Sequence, residues 1–183
     1  MQFTETNIKG ACLISLEQRA DNRGFFARTF CAEEFAEHGL NPTIAQCNLS
    51  FNHKQGTLRG MHYQVPPAGE TKFIRCTQGA IYDVIIDMRR DSPTYLEHFG
   101  VELSAENRLA LYVPEMFAHG YQTLTENAEV IYQVSEFYTP GYERGLKYND
   151  PRLQIHWPLT VTEISEKDMN WDLLDAPTSV GIH

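Results

Sequence analysis

A chain of 183 residues, 42% hydrophobic and 21% charged, has the length and composition of one globular domain with a substantial core. Its formal net charge of −9 argues against a nucleic-acid binder, which carries a basic face, yet leaves room for a small anionic ligand held by a local Arg/Lys cluster. No apolar run approaches the roughly 18–20 residues that cross a bilayer as a helix, so no membrane association is expected.

Short strands separated by turn signals dominate. A strand is expected at 11–16 and another at 24–30, after the polar turn Ala20-Asp21-Asn22-Arg23. Residues 32–38 read as a short helix stopped by Gly39. Strands follow at 43–50 and 57–64, the latter ended by Pro66-Pro67. Strands at 72–77 and 80–87 flank Gln78-Gly79, which predicts a hairpin. Strands at 98–103 and 110–113 surround the polar turn Ser104-Ala105-Glu106-Asn107. Strands at 119–125 and 128–138 flank Glu126-Asn127, a second expected hairpin. In the last of these, even-numbered positions share one face, so Tyr132 and Tyr138 point the same way if the strand is unbroken. Past Trp157-Pro158 the chain turns helical around Ser165-Glu166-Lys167-Asp168. Strands recurring at about 8–12 residues favour an all-β sandwich or barrel. No linker, repeat or low-complexity segment divides the chain, so one domain over 1–183 is expected.

Cys12, Cys31, Cys47 and Cys76 are scattered without Cys-x-x-Cys spacing, and a chain of this size does not need disulfides. Met1-Gln2-Phe3-Thr4-Glu5 lacks the charged-then-apolar pattern of a signal peptide. Reduced thiols and a cytoplasmic location are expected, with Cys47 as a small buried hydrophobe.

The most informative stretch is Leu58-Arg59-Gly60-Met61-His62-Tyr63-Gln64, followed by Lys72. It brings an imidazole near a guanidinium and an ammonium. A base among cations suits removal of a carbon-bound proton and stabilisation of the oxyanion that results. A lone strand histidine is more often a satisfied core side chain, so this run does not stand by itself. Four further segments accompany it: Asp21-Asn22-Arg23-Gly24-Phe25-Phe26, Gln46-Cys47-Asn48-Leu49-Ser50, Phe117-Ala118-His119-Gly120 and Val130-Ile131-Tyr132. Together they resemble the dTDP-4-dehydrorhamnose 3,5-epimerase family, from about Asp21 to Asp168.

The resemblance implies an all-β, cupin-type double-stranded β-helix jelly roll with short peripheral helices. It also implies a single epimerase domain, working without a cofactor and as a homodimer. Its substrate would be a nucleotide-diphospho-4-keto-6-deoxyhexose used in deoxysugar synthesis for surface polysaccharide, such as O-antigen. By the same resemblance His62 is the base, Asp168 its carboxylate partner, Tyr132 the proton donor on the opposite face and Lys72 the cation beside the ketone oxygen. His119 contacts substrate. Arg23, Arg59, Gln46, Asn48, Glu143 and Lys167 fall at nucleotide-sugar positions, with Arg23 and Arg59 suited to a diphosphate by their guanidinium forks. Phe26 and Tyr138 are candidates to stack on the base.

Each assignment has a plainer competitor. Asp168 fits a Ser-x-x-Asp helix cap, Tyr132 a barrel-lining aromatic, Lys72 an edge lysine, His119 a turn histidine and Phe26 ordinary core. Asp83 could pair with Lys72 or Arg59. One departure stands out: the family's Arg-Gly-Phe-Phe-x-Glu reads Arg23-Gly24-Phe25-Phe26-Ala27-Arg28 here, so Arg28 replaces an acceptor with a donor. Thymine N3 is a donor and cytosine N3 an acceptor, which opens a cytidine-linked ketosugar as an alternative substrate. A non-enzymatic nucleotide-sugar-binding cupin is the alternative of a different class. Metal-dependent cupins usually carry His-x-His, whereas His62 is followed by Gln64, so no metal is expected.

Overall fold

The computed structural model describes residues 1–174. Its elements are β1 (Gln2–Glu5), β2 (Cys12–Ser15), β3 (Arg19–Asp21), β4 (Gly24–Phe26), α1 (Ala32–Glu37), β5 (Gln46–Asn52), β6 (Thr57–Gln64), β7 (Lys72–Gln78) and β8 (Ala80–Asp87), then β9 (His98–Ser104), β10 (Ala110–Val113), β11 (Phe117–Thr123), β12 (Ala128–Val134), β13 (Glu143–Gly145), β14 (Glu163–Ile164) and α2 (Glu166–Met169). One sheet runs β1-β2-β10-β7-β12-β5, a second runs β13-β6-β11-β8-β9 with β14 parallel on β6, and β3-β4 form a separate hairpin.

The two large sheets bury a common core. Ile74, Cys76 and Val130 of the first meet Ile81, Ile85 and Tyr121 of the second. Burial there pushes the Cys76 thiol up to about 11, which keeps it an inert thiol. A smaller cluster lies outside the first sheet, where α1 lays Phe35 on Cys12, Ile14, Phe73 and Tyr112. Phe35 is 1% exposed, and truncating it to alanine would cost about 3–5 kcal/mol. This is the jelly roll that the resemblance implied.

Neither expected hairpin forms. Gln78-Gly79 carries the chain from β7 in one sheet to β8 in the other, and Glu126-Asn127 carries it from β11 back to β12. The signal for a tight turn was sound, since Gly79 (φ +70°) and Asn127 (φ +52°) adopt the left-handed conformation. A tight turn does not specify whether the next strand pairs with its predecessor. Here the two corners brace each other instead, through Ala80 N–H to Thr125 Oγ1 (3.1 Å) and Gln78 Nε2 to the Asn127 carbonyl (2.9 Å).

Smaller differences matter for the site. The expected strand at 24–30 is cut to Gly24–Phe26, and its partner Arg19–Asp21 takes residues read as a turn. The strand expected at 43–50 begins at Gln46 and runs on to Asn52. β12 ends at Val134, so Tyr138 lies beyond it on a loop, 59% exposed, and does not inherit the facing of Tyr132. Cys47 is exposed, because it alternates with the inward-facing Gln46 and Asn48.

Candidate active site

β6 supplies the first part of the site through an irregularity. Arg59 pairs with Tyr121, and His62 with His119, so β6 carries one residue more than β11 between these pairs. In a regular strand, residues three apart point to opposite faces; the bulge puts Arg59 and His62 on the same inner face. Glycine makes this feasible. Gly60 has φ +126°, and a Cβ there would fall 2.5 Å from Gly120 Cα. The family-like Arg-Gly run and the glycine after His119 are thus two halves of one close strand contact.

His62 Nε2 lies 2.7 Å from Asp168 Oδ1. The other carboxylate oxygen accepts the Gly60 N–H at 3.2 Å. Burial opposes ionisation of Asp168, but hydrogen bonds from His62, Gly60 and Ser165 outweigh it and hold the carboxyl below its ordinary range. An ionised Asp168 accepts, so Nε2 carries the proton and Nδ1 keeps the lone pair. Ser165 Oγ caps α2 by accepting Asp168 N–H at 3.0 Å, while the Asp168 side chain is turned to His62. Trp171, which the sequence reading did not single out, stands edge-on to His62 with ring centroids 6.1 Å apart. Gly145, directly across from His62 on β13, leaves room for that indole; a Cβ there would collide with it.

The opposite wall comes from the first sheet. Tyr132 pairs with Ile74 and Asn48, and Lys72 pairs with Val134, so Tyr132 and Lys72 share the inner face. Burial raises the Tyr132 phenol, with Glu70 adding to the effect and Arg59 opposing it, so the hydroxyl keeps its proton. Lys72 is buried and ion-paired with Glu70, a partner that sequence alone did not reveal. Asp83 pairs with neither Lys72 nor Arg59. It sits fully buried under His119, whose Nε2 lies 2.9 and 3.1 Å from the two carboxylate oxygens. Burial raises the Asp83 carboxyl, while His119 works against that rise. Arg59 donates to Asn52 Oδ1 at 2.7 Å, and Asn52 and Ser50 both reach the Tyr121 hydroxyl, at 3.2 and 2.9 Å.

These groups enclose a cavity of about 570 Å³ whose walls include Arg59, His62, Lys72, His119, Tyr132 and Asp168. Lys167 also lines it and is paired with Glu143 at 2.5 Å. Gln46 and Asn48 share the inner face of β5 with Ser50, and Gln46 Oε1 accepts the Tyr138 N–H at 3.0 Å. Gln46, Asn48, Tyr138 and Glu143 do not themselves line this cavity, and Arg23, Phe26 and Arg28 stand wholly apart from it. Arg23, on the β3-β4 turn, is paired with Asp21 at 2.5 Å. Phe26 is 71% exposed, and Arg28 is paired with Glu34 at 2.8 Å; both border a separate small surface hollow. Among the described residues, no group of three His, Cys, Asp or Glu side chains is placed to hold a metal ion.

The geometry therefore provides a base on one wall, a protonated phenol on the facing wall and cations between them. The chain matches a family model described as dTDP-4-dehydrorhamnose 3,5-epimerase over residues 5–176. It is 42% identical over 174 residues to the dTDP-4-dehydrorhamnose 3,5-epimerase of Methanothermobacter thermautotrophicus, covering 93% of this chain and 92% of that protein. The enzyme of that name from Shigella flexneri is 39% identical, with 93% and 94% covered. A crystal structure of dTDP-4-dehydrorhamnose 3,5-epimerase from Bacillus anthracis with TDP and PPi bound superposes with a TM-score of 0.91 at 40% identity, covering 94% of this chain and 99% of that one. For dTDP-6-deoxy-D-glucose-3,5-epimerase from Legionella pneumophila in complex with dTDP-4-keto-L-rhamnose, the TM-score is 0.88 at 34% identity, with 94% and 92% covered.

Proposed function

This chain belongs to the dTDP-4-dehydrorhamnose 3,5-epimerase family, and from that premise we propose that it inverts C3 and C5 of dTDP-4-dehydro-6-deoxyglucose to give dTDP-4-dehydrorhamnose, without a cofactor. The observation that carries the mechanism is the placement of His62 and Tyr132 on facing sheets across one cavity.

The C4 ketone acidifies the C–H bonds on both neighbouring carbons. His62 Nδ1 removes one proton, and Asp168 stabilises the imidazolium formed. The electron pair moves onto the ketone oxygen, where Lys72 is the stabilising cation; losing one such donor typically costs about 3–4 kcal/mol. Tyr132 then delivers a proton to the opposite face of the carbon. One C–H bond is broken and one re-formed at each centre, and solvent returns His62 and Tyr132 to their starting protonation. His119, held by Asp83, contacts the sugar. Arg59 and Lys167 attract the diphosphate; Gln46, Asn48, Glu143 and Tyr138 complete the nucleotide side.

A homodimer belongs to the same reading. Leu49 and Phe51 on the outward face of β5 are 59% and 38% exposed. A second copy covering that face would also offer a nucleotide the hairpin bearing Arg23 and Phe26. The proposed compartment is the cytoplasm, supported by four unpaired cysteines. The one-domain reading is supported by the two sheets sharing a single core.

Proton NMR of dTDP-4-dehydro-6-deoxyglucose in deuterated water tests the reading. Deuterium should enter at C3 and C5 and the inverted product should accumulate. Absence of both exchange and inversion would overturn it.

A further inference from the structure

Gln64 ends the run that carries Arg59 and His62, yet it does not line the cavity. It shares the inward face of β6 with His62 and is 2% exposed. A buried amide must satisfy one acceptor and two donors. Its Oε1 accepts the Thr139 N–H at 2.7 Å. Its Nε2 faces the Ala68 carbonyl at 3.0 Å, the Phe137 carbonyl at 3.2 Å and Glu70 Oε2 at 3.4 Å. Glu70 in turn holds the Lys72 ammonium through its other oxygen.

One side chain therefore touches two segments that serve the cavity from different directions. On one side, Gln64 meets Glu70, the counter-ion of Lys72. On the other, it grips the residues immediately before and after Tyr138, whose own N–H is held by Gln46. The two segments are also bridged directly, by Thr71 N–H to Ser135 Oγ (2.8 Å) and Ser135 N–H to the Thr71 carbonyl (3.1 Å).

We propose that Gln64 is a positioning residue for epimerisation: it orients Lys72 through Glu70 and, through the 137–139 backbone, sets the loop that presents Tyr138. The inference rests on the epimerase reading above. It assigns the glutamine a task that a hydrophobic residue of equal volume could not perform, because an apolar side chain offers no donor to the Ala68 carbonyl or to Glu70 Oε2, leaves the Phe137 carbonyl with Thr139 Oγ1 as its remaining donor, and gives the Thr139 N–H no acceptor.

The test is a kinetic cycle with Gln64→Met, Glu70→Gln and the double variant, alongside TDP titration of each. Gln64→Met should lower kcat about 10–100-fold, the scale on which small misplacements of reacting groups act, and should also weaken TDP. Glu70→Gln should lower kcat with TDP affinity unchanged. In the Glu70→Gln background, the kcat loss from Gln64→Met should shrink, because both changes break the same link to Lys72. A residue with only a structural role would give multiplicative losses, and that result, or an unchanged kcat in Gln64→Met, overturns the proposal. If Gln64→Met does not fold, Glu70→Gln alone decides: wild-type kcat in that variant also overturns it. An inactive wild-type protein would instead sink the epimerase reading, so the two failures are distinct.

Discussion

His62 and His119 stand directly opposite each other on β6 and β11, and each turns Nε2 to a different carboxylate. Asp168, which serves His62, has its carboxyl held below the ordinary range; Asp83, which serves His119 and is fully buried, has its carboxyl raised. The difference follows from their surroundings. Asp168 also accepts Gly60 N–H and is helped by Ser165, whereas His119 supplies all the hydrogen bonds that counter burial at Asp83. The lone pair on His62 is thus backed by a firmly ionised partner.

His62→Ala removes the group proposed as base and leaves the Asp168 carboxylate without its imidazole partner. A positioned general base contributes roughly 10²–10⁴-fold, so kcat should fall by about that factor while TDP affinity stays near wild type. Steady-state kinetics with a parallel TDP titration checks both halves. A variant retaining more than about a tenth of the wild-type rate would remove His62 from the role of base.

Tyr132→Phe should separate proton removal from proton delivery. The ring stays, but the protonated hydroxyl on the wall facing His62 is lost. Hydrogen exchange at the activated carbon should continue, with little or no inverted product in the NMR assay. Loss of exchange together with inversion would instead mark Tyr132 as a positioning group.

The fold has its own acid limit at Asp87. Burial pushes its carboxyl up, but Arg89, Ser92 and Thr94 more than offset this and bring it from 3.8 to about 2. A folded value below the unfolded one stabilises the protein above pH ~4, and the gain disappears as pH falls through about 2. Nearly two pH units correspond to about 2 kcal/mol. Asp87→Asn should therefore lose about that much in urea unfolding at pH 7, with the difference from wild type narrowing steadily below pH ~4.

Arg28 is where the chain departs from its family's pattern, and in the folded chain its guanidinium is taken up by Glu34 while remaining 60% exposed. TDP should bind more tightly than CDP, and Arg28→Ala should change neither affinity by more than about fivefold, the scale of an exposed ion pair. Calorimetric titration of both nucleotides decides this. A wild-type preference for CDP that vanishes in Arg28→Ala would show that Arg28 reads the base.

Strand spacing indicated an all-β sandwich or barrel, whereas the run from Leu58 to Gln64 indicated a base-containing site for an anionic sugar only together with four further segments and the family they resemble. Strand alternation is a local property, and five of the seven longest strands lie within two residues of the ends expected from it. The pairing of those strands was not local. Gln78-Gly79 and Glu126-Asn127 demand a tight turn, but whether the chain doubles back or crosses to the other sheet depends on which faces share a core, and that is settled only when both sheets are present. The same holds within the site. Arg59 and His62 face one cavity only because β6 bulges against the glycine of β11, and Asp83 reaches His119 because β8 and β11 are neighbours. Residue type and spacing name the chemistry a chain can perform. The distances between groups far apart in sequence arise from burying the two sheets against each other.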